Sequence, residues 1–440
     1  MMATHGERNW AGNHRYRAKR LRHPRSVEQL AETVARAHRV RALGSRHSFN
    51  DIGDTVGDLI SLAALPARLE VDDDRRSVTV SGGTGLGSLA TSLERRALAV
   101  HNLASLPHIS VAGACATATH GSGDGNQNLS ASVSAVELVT GSGDLRWLSR
   151  EKDPDIFPGV VVSLGALGVV TALTLDVQPS FRVRQDCYVD LPWEDLLSSF
   201  EQIMGRAYSV SVFTGWADTP VVDQVWLKTR LPEGDERVAE QGLPQALFGA
   251  VPARTPRHPL PGMTGHNCTE QLGVPGAWCD RLPHFRMEYA PSGGDEVQSE
   301  YLVPRHDAVR AIEALRAIAH QIRPVLQVCE IRTVAADGLW LSPSFDTDVV
   351  GFHFTWVNDQ SAIEPVLPVL EETLAPFSAR PHWAKLFHAA AADLAPLYPK
   401  LPAFRELVSE LDPQGTFSND FLDRRVIGTR RSLTKGRFWS

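Results

Sequence analysis

Residues 110–125 constrain this chain most, because almost no large side chain interrupts a run of alanine, glycine, serine and threonine. Such a run cannot fill a hydrophobic core with its own side chains. It lets a ligand approach the backbone closely, and its N–H groups and hydroxyls are suited to binding a pyrophosphate. The alternative is a small-residue helix or strand packed tightly on its neighbours. The run therefore predicts either a ligand-binding loop or closely packed secondary structure.

A second small-residue segment, residues 44–50, follows a predicted strand at 40–43 and contains His47. A strand that ends in glycine and serine exposes consecutive backbone N–H groups, which can form an anion-binding concavity. A lone histidine in a loop is most often an ordinary polar residue. The presence of several further small-residue segments in the same chain favours a ligand site at His47.

The segment before the His47 loop has the pattern of a β-α-β unit. Ser26 is a candidate N-cap with Gln29 three residues later, and apolar residues follow at helical spacing. A strand at 77–81, glycines at 82–87 and a helix through Leu98 come next. This order is similar to the sequence fingerprint of a nicotinamide-dinucleotide site. However, Ser88 replaces the third glycine of that fingerprint and no acidic residue follows at the required distance, which argues against such a site.

Composition and charge exclude several functions. A length of 440 residues predicts two domains, and a net charge of −7 argues against a nucleic-acid binder. The N-terminal residues show no signal peptide, and no stretch reaches the roughly 18 apolar residues that a membrane span needs. The five cysteines have no metal-ligand spacing, so we expect free thiols, no metal site and a cytoplasmic protein.

From about residue 181 the pattern changes to strands with intervening helices. Strands are predicted at 209–216, 224–228, 298–303, 326–333 and 350–356, a helix at 307–322, and an irregular loop at 252–261. This order is typical of a mostly antiparallel sheet with helices on one face, an α+β arrangement. We place the first domain boundary near residues 177–182.

Two of these predicted strands carry polar residues on one face. Period-2 alternation puts Glu330 and Arg332 on the same side of one strand, and His353 and Thr355 on the same side of another. These side chains are either an ordinary solvated face or a set of donors and acceptors suited to a polyol. Lys385 lies in an apolar and aromatic setting, where a lysine either extends to water or is functional.

Taken together, these motifs resemble the vanillyl-alcohol oxidase type of flavoproteins, and most of all the alditol (xylitol) oxidases, with the aldonolactone oxidases next. The resemblance implies an α+β, two-domain flavoprotein. Its FAD-binding domain would comprise residues 1–180 and a return segment at 392–440, and an antiparallel-sheet cap at 181–391 would bind the substrate.

The resemblance also implies a covalent bond between FAD and His47. Arg46 replaces the small residue that usually precedes this histidine, so its cation could either contact a phosphate or disturb the loop. The cofactor-binding residues implied by the matching motifs are Gly44, Ser45, Arg46, His47, Ser48, Ser105, Ser110, Gly113, Thr117, Thr119, His120, Gly121, Gly123, Gly168 and Val170.

The implied substrate-binding residues are Ser105, Glu330, Arg332, His353, Thr355 and Lys385, with Lys385 and Arg332 as the catalytic pair. By resemblance, the enzyme would oxidise the terminal primary alcohol of an alditol to an aldose and reduce oxygen to hydrogen peroxide. The alternatives are an aldonolactone oxidase or dehydrogenase of the same family, and a flavin-binding electron-transfer protein. We expect a polyol and oxygen as the partners, and a monomer or weak oligomer.

Overall fold

The computed structural model describes residues 7–232, 247–288 and 295–428. Most of its strands belong to three sheets. In chain order the strands are β1 (Arg20–Arg22), β2 (Val40–Leu43), β3 (Asp58–Ser61), β4 (Leu69–Val71), β5 (Ser77–Ser81), β6 (Leu98–Ala99), β7 (Val133–Val139), β8 (Leu145–Ser149), β9 (Val169–Asp176), β10 (Gln178–Pro179), β11 (Arg182–Pro192), β12 (Ser209–Thr214), β13 (Val221–Arg230), β14 (Val251–Pro252), β15 (Gly276–Ala277), β16 (Glu296–Pro304), β17 (Leu326–Val334), β18 (Val349–Val357) and β19 (Arg380–Pro381).

The α-helices are short and connect these strands. In chain order they are α1 (Val27–Ala35), α2 (Leu86–Glu94), α3 (Val111–Ala116), α4 (Phe157–Val161), α5 (Trp193–Ser198), α6 (Phe200–Met204), α7 (Ala308–Ala317), α8 (Ala319–Ile322), α9 (Gln360–Ile363), α10 (Val366–Leu374), α11 (Ala391–Leu394), α12 (Leu401–Leu411) and α13 (Asp420–Leu422). Among the described residues, no helix is long and apolar enough to cross a membrane.

The N-terminal part contains two small sheets. β1, β3 and β2 form a parallel sheet, and β4, β5, β9, β7 and β8 form an antiparallel one. The predicted β-α-β unit is confirmed, because Ser26 caps α1 by accepting from the N–H of Gln29 and α1 buries Leu30 and Val34. The side chain of Gln29 accepts from Arg25 instead of Ser26, so only half of the capping box forms.

A nine-stranded antiparallel sheet makes up most of the second part, with the order β14-β11-β13-β12-β17-β18-β16-β19 and β15 paired to β11. All five predicted strands belong to it. Sequence reasoning missed β11, the longest strand, because its polar residues do not alternate simply. Arg184 and Asp186 pair there with 2.9 Å between Nε and Oδ2, which allows both charges to be buried.

The small-residue run at 110–125, for which a loop and packed secondary structure were both open, combines the two, since Val111–Ala116 form α3 and most of the other residues lie in loop. Two predictions of local structure need correction. Leu98 lies in β6, since α2 ends at Glu94. The helix predicted at 307–322 is divided into α7 and α8 at Ile318.

The C-terminal segment packs on the N-terminal part, far from its neighbours in sequence. Thr416 O accepts from the N–H of Val40 at 2.9 Å, and the side-chain amide of Asn419 donates to the carbonyls of Ile52 and Asp54. These contacts join residues 416–419 to the N-terminal part, while the domains 1–180, 181–391 and 392–440 stay a prediction. Residues 1–6, 233–246, 289–294 and 429–440, with the basic tail, lie outside the described part.

Candidate active site

A cavity of about 640 Å³ lies between the small-residue segments of the N-terminal part and one face of the nine-stranded sheet. One end is lined by the 44–49 loop, the glycines before α2, α3 and the segment before β9. The other end is lined by polar side chains of β16, β17 and β18 together with Lys385. The cavity therefore joins the two groups of residues that the sequence singled out.

Most of the predicted cofactor residues lie at the first end. Those that line the cavity are Gly44, Ser45, Arg46, His47, Ser48, Ser105, Ser110, Gly113, Thr117, Thr119, His120, Gly168 and Val170. The N–H of Ser110 donates to Ser45 Oγ at 3.1 Å, which joins the His47 loop to α3. A Cβ at Gly44 would stand 2.7 Å from Ser110 Oγ, so any larger residue would require the Ser110 side chain to move.

Gly121 and Gly123 are exceptions, because neither lines the cavity. A Cβ at Gly121 would stand 2.5 Å from Leu103 O. Gly123 has a φ of 135° and donates its N–H to Thr333 O in β17. Both glycines allow close backbone packing between the loop and its neighbours, and their assignment to cofactor binding is corrected accordingly.

Arg46 makes contacts that neither of the two alternatives drawn from the sequence predicted. Its backbone is left-handed, with a φ of 65°. Its guanidinium pairs with Glu7 at 2.8 Å, and its carbonyl accepts from the N–H of Trp10. Arg46 therefore fastens the N-terminal segment to the loop.

His47 is held between this N-terminal segment and its own loop. The Trp10 ring stacks on it with 5.3 Å between centroids and an interplanar angle of 21°. Nδ1 lies 3.0 Å from Ser45 O, which can only accept, so the proton belongs on Nδ1 and the lone pair on Nε2. Burial lowers the pKa of His47 to about 4, so the imidazole is neutral at pH 7.

The polar end of the cavity confirms the alternation predicted for β17 and β18. Glu330, Arg332, His353 and Thr355 line the cavity, whereas Cys329, Ile331, Phe352, Phe354 and Trp356 belong to the hydrophobic core. Glu330 and Arg332 are each only 4% exposed, so this face is enclosed and not solvated. Lys385 enters from the loop after β19 and completes the group.

Glu300 in β16 lies at the centre of this group and was missed by the sequence analysis. Its Oε1 lies 2.6 Å from Arg332 Nη2 and 3.2 Å from His120 Nε2, and its Oε2 lies 2.7 Å from Lys385 Nζ. Burial alone would raise the pKa of Glu300, but Arg332, Lys385 and His120 hold it well below its usual value. A partial signal was available, because Gln298 and Glu300 share one face of the predicted strand and Tyr301 and Val303 share the other, although Ser299 interrupts the alternation.

Glu330 and Arg332 share one face of β17 but do not hydrogen-bond each other. Arg332 Nε is 3.7 Å from Glu330 Oε2, too far for a hydrogen bond. Glu330 Oε1 is bound instead by His284 Nε2 at 2.8 Å, and His284 Nδ1 lies 2.9 Å from Lys228 Nζ. His284 lies in a loop without periodicity, so no sequence pattern could place it at this site.

Two more predicted substrate residues, Ser105 and His353, lie beside Arg332, and Thr355 lines the same cavity. Ser105 Oγ is 3.5 Å from Arg332 Nη1, and His353 Nδ1 is 3.3 Å from Arg332 Nη2. Burial, reinforced by Lys385, lowers the pKa of His353 to about 4. The Nε2 atom of His353 is buried and has no protein partner among the described residues, so it is available to a ligand.

Lys385 has opposing influences on its charge. Burial lowers the pKa of Lys385 most, and the positive charge of Arg332 lowers it further. The carboxylate of Glu300 raises it, but the net pKa stays below the usual lysine value. An ammonium and a guanidinium thus converge on one carboxylate beside the cavity. Such a group can bind an oxygen that gains negative charge and can exchange a proton with it.

The residues at the first end fit a dinucleotide such as FAD. Within the described part of the chain, the backbone N–H groups of Arg46, His47 and Ser48 donate to no protein acceptor. Thr117 and Thr119 line the same cavity, and their hydroxyl oxygens lie 3.3 Å apart. Free N–H groups and hydroxyls are the donors that a pyrophosphate requires.

Comparison with known proteins decides the family. The family model described as "FAD binding domain" matches residues 18–149, and the one described as "D-arabinono-1,4-lactone oxidase" matches residues 295–425. The alditol oxidase of Streptomyces sp. (strain IKD472 / FERM P-14339) is 50% identical over 418 residues, covering 94% of this chain and 97% of that protein. The chain belongs to the alditol oxidase family. Its cofactor is FAD, as the matching domain model indicates.

More distantly related proteins also match this chain over nearly the whole length of both proteins. An L-gulono-1,4-lactone dehydrogenase of Mycobacterium tuberculosis is 29% identical, covering 96% of this chain and 98% of that protein. A mutant cholesterol oxidase from Brevibacterium sterolicum has a similar fold, with a TM-score of 0.76, 16% identity and 96% coverage of both chains. These similarities confirm the α+β, two-domain flavoprotein architecture.

Proposed function

We propose that this protein is an FAD-dependent oxidase of alditols such as xylitol and sorbitol. It oxidises a terminal primary alcohol to an aldehyde, which gives an aldose, and oxygen is reduced to hydrogen peroxide. The observation that carries the proposal is the enclosed polar end of the cavity. The side chains that meet there beside the FAD-binding end include Glu300, Glu330, Arg332, Lys385, His353, Ser105 and Thr355. A polyol, with a hydroxyl on each carbon, can satisfy such a set.

FAD, when bound, supplies the two-electron acceptor chemistry, and the protein supplies binding, orientation and charge. Lys385 and Arg332 bind the reacting hydroxyl, and Glu300 holds both side chains in place through its two oxygens. Lys385 Nζ, in its neutral form, takes the hydroxyl proton, and Arg332 stabilises the negative charge that develops. Ser105, Glu330, His353 and Thr355 bind the other hydroxyls.

Covalent attachment of FAD to His47 forms part of the proposal. The imidazole lines the cavity, is held by Trp10 and Ser45, and is neutral at pH 7 because burial lowers its pKa to about 4. A neutral ring is the nucleophilic form. We further propose a cytoplasmic location and a monomer or weak oligomer.

An aldonolactone substrate is the second candidate, favoured by the match of residues 295–425 to the arabinonolactone oxidase model. The purified yellow protein should be mixed with xylitol, sorbitol and a gulonolactone, with flavin bleaching measured without oxygen and peroxide measured with it. The proposal expects bleaching and peroxide with the two alditols. Bleaching by the lactone alone would establish the second candidate, and no bleaching by any of the three would favour an electron-transfer protein.

A further inference from the structure

We propose that Lys228 and His284 are positioning residues that act through Glu330. They keep Glu330 ionised and occupy its Oε1, so that only Oε2 is offered to a substrate hydroxyl. This inference rests on the proposed function in one respect, the binding of the polyol by Glu330. Neither residue belongs to the motifs that identify the site, and Lys228 does not line the cavity.

The three side chains form a continuous line of hydrogen bonds behind the substrate end of the cavity. Lys228 Nζ in β13 donates to Leu282 O and lies 2.9 Å from His284 Nδ1. His284 Nε2 lies 2.8 Å from Glu330 Oε1. Lys228 is 1% exposed and His284 is 5% exposed, so water does not compete for these contacts. A buried ammonium, imidazole and carboxylate are costly unless each satisfies the next.

Both neighbours of His284 require the same tautomer. An ionised Glu330 can only accept, so His284 Nε2 must carry a proton and donate it. Lys228 has N–H groups to donate whether or not it is charged, so His284 Nδ1 can remain an acceptor. The rings of Phe213 and Trp226 contact His284 at 5.7 and 5.2 Å between centroids and fix its orientation. The ring therefore presents one N–H to one oxygen of Glu330.

This arrangement controls the charge of Glu330 and the direction of its free oxygen. Burial would raise the pKa of Glu330, but Arg332, His284 and His353 hold it well below its usual value. Arg332 faces Glu330 from its own strand, His353 from β18 and His284 from the loop. Lys228 of β13 lies behind His284, and Lys385 reaches the same cavity from the loop after β19. With Oε1 occupied, Oε2 is the oxygen left for the substrate, 3.5 Å from His353 Nδ1.

The first test is independent of catalysis and uses the holoenzyme labelled with nitrogen-15 histidine. The signals of His284 are those that disappear in His284→Gln. We expect Nε2 to be protonated and Nδ1 unprotonated at neutral pH. In Lys228→Met, His284 should take its second proton at a higher pH, because the nearby cation that opposes that proton has been removed. A wild-type His284 with its proton on Nδ1 would overturn the inference.

The second test measures anaerobic flavin reduction by xylitol as a function of pH. Lys228→Met should raise the half-saturating concentration about 10-fold with little change in the limiting rate, the scale of one weakened charged hydrogen bond. Below the acid limb that protonation of Lys385 sets, the apparent second-order rate should fall a second time as Glu330 is protonated. This second fall should begin at higher pH in Lys228→Met, since loss of the cation raises the pKa of Glu330. His284→Gln should be milder than His284→Leu, because an amide can donate to Glu330 and accept from Lys228.

Arg184→Met is the matched control, since Arg184 is a buried cation of the same sheet that pairs with Asp186 away from the cavity. It should lower stability without moving the pH profile. If Lys228→Met behaves like Arg184→Met, the positioning role is wrong. If no alditol reduces the wild-type enzyme, the proposed function fails, and the histidine spectra still decide whether Lys228 and His284 hold Glu330 as described.

Discussion

At the scale of single residues, Lys385 is the side chain on which the proposed chemistry depends most. Its Nζ lies 2.7 Å from Glu300 Oε2, and it lines the cavity together with Arg332 and Glu330. Lys385→Met should slow anaerobic flavin reduction by roughly 10²-fold or more, the scale of a lost acid–base group. Ser105→Ala and Thr355→Ala should mainly raise the half-saturating alditol concentration. Near wild-type reduction by Lys385→Met together with slow reduction by Ser105→Ala would contradict this division of roles.

The pH dependence of a Glu300 variant provides a separate test of whether Lys385 acts as the base. The neutral form of Lys385 must take the proton, so reduction should slow as pH falls through its pKa. Glu300 raises that pKa against the effect of burial. Glu300→Gln should therefore move the acid limb of the reduction rate to lower pH, as followed by stopped-flow absorbance.

The control for this variant is Glu371→Gln, because Glu371 is a largely buried carboxyl that hydrogen-bonds Tyr301 and does not line the cavity. It should leave the pH profile unchanged. An acid limb that stays in place in Glu300→Gln, or that moves equally in Glu371→Gln, would argue against Lys385 as the proton acceptor.

At the scale of elements, the strands were the most predictable part of the site. Alternation along β17 and β18 identified the cavity face because each strand has one polar and one apolar side. The same reasoning applied to β16 would have found Glu300. It could not find His284, whose loop has no period, nor the strand β11, whose buried charges neutralise each other. Local pattern thus predicts which way a strand faces, but not which loop meets it.

The His47 loop is an element whose geometry bears on the covalent attachment of FAD. The neutral ring, stacked on Trp10, lines the cavity with Nε2 unprotonated. We expect the yellow colour of the wild-type protein to stay with the polypeptide after acid precipitation, and His47→Ala to lose it to the supernatant.

His101→Ala is the control for attachment, since His101 binds Gln127 O and does not line the cavity. It should keep its colour in the pellet. Wild-type protein that releases all of its flavin into acid would show that the covalent bond does not form, and would make the left-handed backbone at Arg46 the first feature to examine.

At the scale of the whole molecule, the site exists only because distant segments meet. The His47 loop supplies one end of the cavity and Lys385 the other, yet the two loops are joined directly. Asn50 Nδ2 donates to the carbonyls of Trp383 and Lys385 at 2.8 and 2.7 Å, and Phe49 N–H donates to Ala384 O. No pattern in the sequence predicts these contacts, because they depend on how the cap packs on the FAD-binding domain.

This junction predicts that Asn50 positions Lys385 although it touches neither the flavin nor the substrate. Asn50→Asp keeps the oxygen that accepts from Ile52 N–H but replaces both donors to the Lys385 loop with a carboxylate facing two carbonyls. We expect anaerobic flavin reduction to slow by about 10-fold, which corresponds to roughly 1.4 kcal/mol and is within the range for a lost buried hydrogen bond. The flavin should remain attached at His47.

Asn13→Asp is the matched control, because Asn13 donates to Phe49 O in the same loop without contacting the Lys385 loop. Equal loss of rate in the two variants would indicate general loosening of the loop, and an unchanged rate in Asn50→Asp would show that Lys385 is positioned from its own side of the cavity alone.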